Sequence, residues 1–193
     1  MTSAVISQRV LPRSRVASVV LVVAAAALTA LAAQWEILLP FTPVPITGQT
    51  FAVLLTGAAL GSTLGASGQL LYVAGGALGL PIFSGGAAGW EAARAAGTAG
   101  YLIGFIIAAA LVGFMAERRQ DRQFPTMFTA FILGSFVIYV FGVVGLMLSF
   151  DMSTSQAIAA GVVPFVLGDV IKAAAAGLLL PGAWKLVGEH PRP

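Results

Sequence analysis

Residues 127–150 read MFTAFILGSFVIYVFGVVGLMLSF, an apolar stretch without a formal charge. A helix needs about 20 predominantly apolar residues to cross the hydrocarbon core of a bilayer, so this stretch is long enough to span a membrane. The whole chain has the same character, with a mean hydropathy of +0.97 and only 9% charged residues, whereas soluble domains carry about 25%. We therefore predict an all-α membrane protein.

Further apolar stretches lie on both sides of this one, at about residues 16–33, 50–64, 65–80, 101–116 and 157–187. Together the stretches predict a bundle of six transmembrane helices. A single re-entrant hairpin is the alternative over residues 50–80, where the two stretches are short and contain glycines, and a cleaved secretory signal is the alternative for the first stretch. Pro164 is expected to bend the last stretch, and Pro181 to kink or interrupt it.

The positions of the basic residues favour six spans and set their orientation. With a cytoplasmic N-terminus, eight of the ten basic residues fall on the cytoplasmic side, namely Arg9, Arg13, Arg15, Arg118, Arg119, Arg122, Lys185 and Arg192. Basic residues concentrate on that side of membrane proteins, and a single hairpin over residues 50–80 would put the loop at 117–122 outside. The predicted organisation is a cytoplasmic tail (1–15), a transmembrane domain (16–187) and a second cytoplasmic tail (188–193).

Asp169 and Lys172 are the formal charges in the interior of these apolar stretches, in the sequence Pro-Phe-Val-Leu-Gly-Asp-Val-Ile-Lys-Ala at residues 164–173. A charge at membrane depth costs about 2.5–3.5 kcal/mol on insertion scales, so an ionisable residue there is a candidate for function. Residues three apart share one face of a helix. The two side chains are therefore either a structural ion pair between helices or the floor of a site for a small ligand with donors and an acceptor or carboxylate.

A proline-rich loop on the predicted outer side could contribute polar groups to such a site. Residues 35–50 read WEILLPFTPVPITGQT, and the three prolines stiffen the chain into an extended path. Thr47, Gln49 and Thr50 then present hydroxyl and amide groups at the start of the second span. Thr47 is expected to contact a ligand, to cap the helix, or to serve in both ways.

A glycine-rich loop over residues 79–101 faces the same side and carries aromatic residues. Phe83, Trp90 and Tyr101 could wall an apolar pocket, in which Tyr101 keeps a polar group. An interfacial anchor is the alternative for Trp90.

The first span carries small residues at helical spacing, in the two sets Ala25/Thr29/Ala33 and Ala26/Ala30. Small residues let a second helix approach closely in lipid. Both docking of a partner and packing inside the same bundle remain open for this stripe.

The sequence argues against several functional classes. It has no cysteine, and its one histidine, His190, lies in the polar tail. A thiolate or histidine metal site and a Ser-His-Asp triad in the membrane are therefore not expected, although hydrolysis based on aspartate and a purely structural role stay open. The excess of basic residues indicates membrane orientation and not nucleic-acid binding.

Several of these segments together form a recognisable pattern. Residues 41–61 read FTPVPITGQTFAVLLTGAALG, and they are followed by QLLY at 69–72, GGALGLPIF at 75–83, GYLIGF at 100–105 and GDVIK at 168–172. This set resembles the biotin-specific S component, BioY, of energy-coupling factor (ECF) transporters. The similarity covers about residues 16–187.

The resemblance implies a six-helix membrane subunit of prokaryotic plasma membranes that captures biotin from outside and has no ATPase activity of its own. Such a subunit needs no cofactor, since ATP is used only by two ABC-type ATPases that act with a transmembrane T component. An S component for another small vitamin, a solitary biotin transporter and a homodimer remain open.

Individual residues carry the resemblance to different extents. Asp169 and Lys172 match the ligand-binding acid and lysine of the family, where Lys172 would contact either the ureido carbonyl or the valerate carboxylate of biotin. Gln49, Phe83 and Tyr101 match positions near its pocket. Ala26 and Ala30 match the stripe that docks on the T component.

The sequence departs from the family pattern in the glycine-rich loop. Residues 96–101 read Ala-Gly-Thr-Ala-Gly-Tyr where the family usually has Gly-Pro-Thr-Gly-Gly-Tyr, so a stiffening proline is lost. Ser84 follows Phe83 where some relatives have an asparagine, which leaves that ligand contact missing or replaced. Arg94 is either a partner for the ligand carboxylate or a solvated loop charge.

Overall fold

The structure, a computed structural model, describes residues 5–11 and 14–188 and is almost wholly helical. The α-helices in these ranges are α1 (Ile6–Val10), α2 (Arg15–Ala33), α3 (Gln49–Leu60), α4 (Ser62–Ala77), α5 (Trp90–Ala95), α6 (Ala99–Glu117), α7 (Phe124–Phe150), α8 (Thr154–Gly161) and α9 (Val166–Val187). Short 3-10 turns lie at Ser84–Gly86 and Gln120–Arg122. The strands β1 (Glu36–Ile37) and β2 (Ile46–Thr47) pair antiparallel across the proline-rich loop. Most of the predicted tail 188–193, including His190, lies outside the described residues.

Four of these helices, α2, α6, α7 and α9, are long and apolar enough to cross a membrane. This confirms the prediction of a helical, multi-pass membrane protein. Helices α3 and α4 have 12 and 16 residues, which at 1.5 Å per residue is about 18 and 24 Å, less than the hydrocarbon core of about 30 Å. The predicted number of six spans is therefore not established by helix length.

The helix boundaries differ from the predicted ones at two places. The break between the second and third stretches falls at Gly61, whose φ of +89° favours glycine. The last stretch is divided into α8 and α9 by a turn around Pro164, so the expected bend is a full break. Of the two effects expected of Pro181, a kink or an interruption, the interruption is wrong, because α9 continues through Pro181 to Val187. Helices in membranes tolerate proline where neighbouring groups compensate for the lost hydrogen bond.

Helix α2 is fixed to the bundle by buried polar side chains. The Thr29 hydroxyl donates to Gln69 Oε1 at 3.1 Å, and Gln69 Nε2 donates to the Thr56 hydroxyl at 3.1 Å. These side chains come from α2, α4 and α3, and all are buried. The stripe Ala25/Thr29/Ala33 therefore faces inward and packs within the bundle.

Both ends of the described chain and two turns lie at the same end of the bundle. Arg9 Nε donates to the Gly188 carbonyl at 3.2 Å, and the Trp184 indole N–H donates to the buried Asp121 carboxylate. The Ser62 backbone N–H donates to Glu117 Oε1 at 2.8 Å, which places the α3–α4 junction beside the end of α6. We call this the terminal end, and the opposite end, with residues 34–48 and 78–98, the loop end.

Close backbone contacts fix the terminal end of α6. A Cβ added to Gly113 would lie 2.4 Å from the backbone carbon of Gly61 and the nitrogen of Ser62. Because backbone atoms cannot move aside, Gly113→Ala is expected to lower the stability by about 1–3 kcal/mol. The check is the thermal unfolding midpoint in detergent, which should fall by several degrees. Gly182→Ala is the control, since no atom lies within 4 Å of its Cβ, and equal midpoints for the two variants would contradict the prediction.

Candidate ligand-binding site

A cavity opens at the loop end of the bundle, where the two long loops meet helices α3, α6, α7 and α9. Its empty volume is about 560 Å³, with the open space at its mouth included. The lining residues are Val44, Pro45, Thr47, Gln49, Thr50, Phe83, Ser84, Thr98, Tyr101, Leu102, Phe105, Tyr139, Phe165, Asp169 and Lys172. The cavity thus contains most of the side chains that the sequence singled out.

Asp169 and Lys172 form an ion pair at this cavity. Lys172 Nζ lies 2.9 Å from Asp169 Oδ1, and the two residues are one turn apart on α9. The Asp169 side chain is 4% exposed and that of Lys172 is 23% exposed. The two interpretations of the pair are therefore not exclusive, because the charges neutralise each other and also line the cavity.

Neighbouring groups hold the ion pair in place. The Thr50 hydroxyl accepts a hydrogen bond from Lys172 Nζ at 2.7 Å and donates to Asp169 Oδ1 at 3.2 Å. The Tyr139 hydroxyl donates to Asp169 Oδ2 at 2.7 Å, and Lys172 Nζ also donates to the Thr47 carbonyl at 3.1 Å. Helices α3, α7 and α9 and the proline-rich loop therefore converge on the two charges.

Gln49 is a buried polar group of the cavity wall. Its Nε2 donates to the Tyr72 hydroxyl at 2.6 Å, and its Oε1 accepts from the Thr47 hydroxyl at 2.9 Å. The residue before α3 is Gly48, but the Gln49 backbone N–H donates to the Thr47 hydroxyl at 3.3 Å. Thr47 thus supports the start of the helix and lines the cavity at the same time.

Aromatic rings make up the apolar part of the wall. Phe83 is 2% exposed and packs edge-on against Tyr72, with ring centroids 5.6 Å apart. Tyr101 lines the cavity with its ring, while its hydroxyl donates to the Gly161 carbonyl at 2.7 Å. Phe105 and Phe165 complete this surface. The polar pair therefore faces a wall suited to a flat apolar ring.

The glycine-rich loop brings only part of its predicted residues to the cavity. Ser84 lines it and donates to Glu36 Oε2 at 2.6 Å. Trp90 is partly buried against the core and is not in the lining. Arg94 is also outside the lining, with its side chain 54% exposed and Nη1 3.4 Å from Glu91 Oε2, as expected for a loop charge.

Two hydroxyl groups at the pair were not among the predicted site residues. The Thr50 hydroxyl was expected at the start of the second span but was not assigned to the site, and Tyr139 lies in the long uncharged stretch 127–150. A hydroxyl side chain in such a stretch is the one signal that the sequence offers for Tyr139. Among the described residues, no three His, Asp or Glu side chains gather as they would around a metal ion.

The predicted docking residues Ala26 and Ala30 line a separate groove on the side of the bundle. It lies between α2, α4 and residues 80–82, and its open volume is about 1,070 Å³. The lining residues are Val23, Ala26, Ala27, Ala30, Leu31, Gln34, Leu71, Tyr72, Gly75, Leu80, Pro81 and Ile82. Ala26 is buried and Ala30 is partly buried at the floor of this groove, whereas Ala27 is exposed.

Comparison with known proteins relates the sequence to one family. The sequence matches the model described as the BioY family over residues 4–189. It is 38% identical over 162 residues to the biotin transporter BioY of Rhizobium etli, covering 80% of this chain and 86% of that protein. The biotin transporter BioY of Thermotoga maritima is 37% identical over 142 residues, with 73% and 81% covered.

A solved structure shares the fold. The S-component for biotin from an ECF-type ABC transporter superposes with a TM-score of 0.76 at 22% identity, covering 87% of this chain and 90% of that chain. The names of the relatives describe transporters, in agreement with the prediction that the chain is not an enzyme. The apolar helices and the family together make it a multi-pass protein of the plasma membrane, as predicted. This chain belongs to the BioY family.

Proposed function

We propose that this protein is a high-affinity biotin-binding S component that captures biotin at the outer face and delivers it inward with an ECF energising module. The observation that carries this proposal is the Asp169–Lys172 pair, with a buried carboxylate and a partly buried ammonium, in a cavity with aromatic walls. The relatives are named as biotin transporters, and that ligand suits this combination of groups.

The chemistry of biotin fits the cavity group by group. The ureido ring has two N–H donors and one carbonyl acceptor, which match the acceptor oxygens of Asp169 and the donors of Lys172. The fused apolar ring would pack on Phe83, Tyr101 and Phe165. Gln49 lies close enough to this wall to add a polar contact.

For the topology, we propose six passes through the membrane with both termini in the cytoplasm. The terminal end contains the two ends of the described chain, the α3–α4 junction and the loop at 118–123. Six spans that cross the membrane in alternating directions require this placement. The predicted cytoplasmic arginines and lysine lie in these segments or next to them. This arrangement supports the passage of α3 and α4 as two short spans.

Equilibrium binding to the detergent-purified protein tests the proposed ligand. Labelled biotin should bind saturably and be displaced by unlabelled biotin, whereas thiamine and riboflavin should not displace it. Displacement by thiamine or riboflavin instead would indicate an S component for another vitamin. Uptake by cells that lack any ECF module would point to a solitary transporter.

We propose that the energising partners are a T component and two ABC-type ATPases, and that the T component docks in the groove at Ala26 and Ala30. The groove is apolar and lined by small residues, which allow a helix to approach closely. The chain itself would use neither ATP nor a resident cofactor.

Ala30→Leu is expected to weaken association with the T component by about 5- to 150-fold, because overfilling a packed contact costs roughly 1–3 kcal/mol. The measurement is co-purification with the energising module at saturating biotin, so that a modest change in biotin affinity has no effect. Leu28→Phe is the matched control, since Leu28 lies on the same helix, is 43% exposed and does not line the groove. Unchanged association of Ala30→Leu would contradict this docking site.

A further inference from the structure

One short chain segment forms part of the wall between the ligand cavity and the lateral groove. Leu80, Pro81 and Ile82 line the groove, whereas the next two residues, Phe83 and Ser84, line the cavity. Because these residues are consecutive in the chain, the backbone of the segment 80–84 connects the two spaces directly.

Tyr72 connects the same two spaces through side chains. It is fully buried at the floor of the groove and does not line the cavity. Its hydroxyl accepts the hydrogen bond from Gln49, and its ring packs against the ring of Phe83. Both partners are cavity residues, so Tyr72 positions two parts of the cavity wall from behind.

Gln34 adds a second link from the groove to Phe83. This groove residue donates through Nε2 to the Ala30 carbonyl at 2.8 Å and to the Phe83 carbonyl at 3.4 Å. Phe83 is thus held from the groove side by its ring, through Tyr72, and by its backbone, through Gln34. Ala30, a proposed docking residue, takes part in the same hydrogen-bond arrangement.

The wall has little free space in which a movement could be absorbed. A Cβ added to Gly76 would lie 2.2 Å from the Phe83 ring, so the ring rests directly on the backbone of α4. Densely packed interiors transmit small displacements because they contain few voids. A ligand pressing on Phe83 would therefore shift Tyr72 or the segment 80–82.

We propose that Tyr72 is a positioning residue through which biotin in the cavity changes the shape of the groove. The inference rests on the proposed function, since it takes biotin as the ligand. Coupling between two sites is reciprocal, so a helix bound in the groove would change the affinity for biotin by the same factor. A T component docked there would distinguish the loaded from the empty subunit.

A single cysteine in the groove can report this coupling, because the chain has no cysteine of its own. Ala27 lines the groove and is exposed. We expect saturating biotin to change the rate at which N-ethylmaleimide modifies Ala27→Cys by about fivefold or more, the low end of typical coupling between sites. Leu28→Cys, on the same helix but outside the groove, should react with N-ethylmaleimide at the same rate in the presence and absence of biotin. Biotin binding is measured on the same preparations.

Tyr72→Phe tests the role of the hydroxyl, since it keeps the ring and removes the hydrogen bond to Gln49. In the Ala27→Cys background and at verified saturation, this change should reduce the response to biotin by more than half. A folded Tyr72→Phe protein that no longer binds biotin would also support the positioning role. If Tyr72→Phe does not fold, Gln49→Met breaks the same bond from the cavity side and takes its place.

The inference and the proposed function fail in different ways. If Ala27→Cys protein binds biotin but its modification rate stays constant, the coupling is overturned and the proposed function stands. An equal response of Leu28→Cys, or a full response in saturated Tyr72→Phe, would also overturn the role of Tyr72. If no preparation binds biotin, the proposed function itself is wrong.

Discussion

Asp169→Asn is expected to weaken biotin binding by about 100-fold or more. The change removes the negative charge that would accept the ureido N–H groups, and hydrogen bonds to charged groups contribute about 1.5–3 kcal/mol each. The loss of two such bonds would raise the dissociation constant for biotin about 100-fold or more, since 1.4 kcal/mol is a factor of ten. The change also leaves Lys172 without its counter-ion at 2.9 Å. The measurement is equilibrium binding of labelled biotin to the purified variant.

A loss of binding by Asp169→Asn must be separated from a loss of folding. Removing one member of a buried ion pair typically costs about 3–5 kcal/mol of stability, because the other charge is left unpaired. The double variant Asp169→Asn/Lys172→Met removes both charges and should recover most of the thermal stability without recovering biotin binding. If the double variant binds biotin as tightly as the unmodified protein, the pair is structural only.

The apolar helices were predictable because the signal for a span is local. The first stretch was expected at 16–33 and α2 covers Arg15–Ala33, and the stretch 127–150 lies within α7. The break at Gly61 was not predictable in the same way. It depends on contacts of the α3–α4 junction with Glu117, which is more than fifty residues further along the chain.

The candidate site was predictable where a residue type is out of place in its surroundings. Asp169 and Lys172 are charges in an apolar stretch, so their position alone drew attention to them. The Tyr139 hydroxyl is a weaker signal, because a hydroxyl group is less out of place in an apolar stretch than a formal charge, and only the packing of α7 on α9 brings it to Asp169. For Arg94, the loop sequence does not determine whether the side chain turns toward the cavity.

Lys172→Met is expected to weaken biotin binding by about 10- to 100-fold, because one hydrogen bond to a charged donor is lost. Methionine keeps the length of the side chain while removing its charge and its donors. All three ammonium hydrogens of Lys172 are engaged in the structure, by the Thr50 hydroxyl, the Thr47 carbonyl and Asp169. A ligand must therefore replace one of these acceptors, and the Thr47 carbonyl, at 3.1 Å, is the most distant.

The ligand group that replaces this acceptor follows from the charge balance of the pair. Asp169 already neutralises Lys172, and a valerate carboxylate brought to the ammonium would also meet the Asp169 carboxylate and be repelled. The neutral ureido group, with donors for Asp169 and an acceptor for Lys172, avoids this repulsion. We therefore expect Lys172→Met to weaken the binding of biotin and of biotinamide, whose carboxylate is replaced by a neutral amide, by the same factor. A loss confined to biotin would show that Lys172 attracts the carboxylate instead.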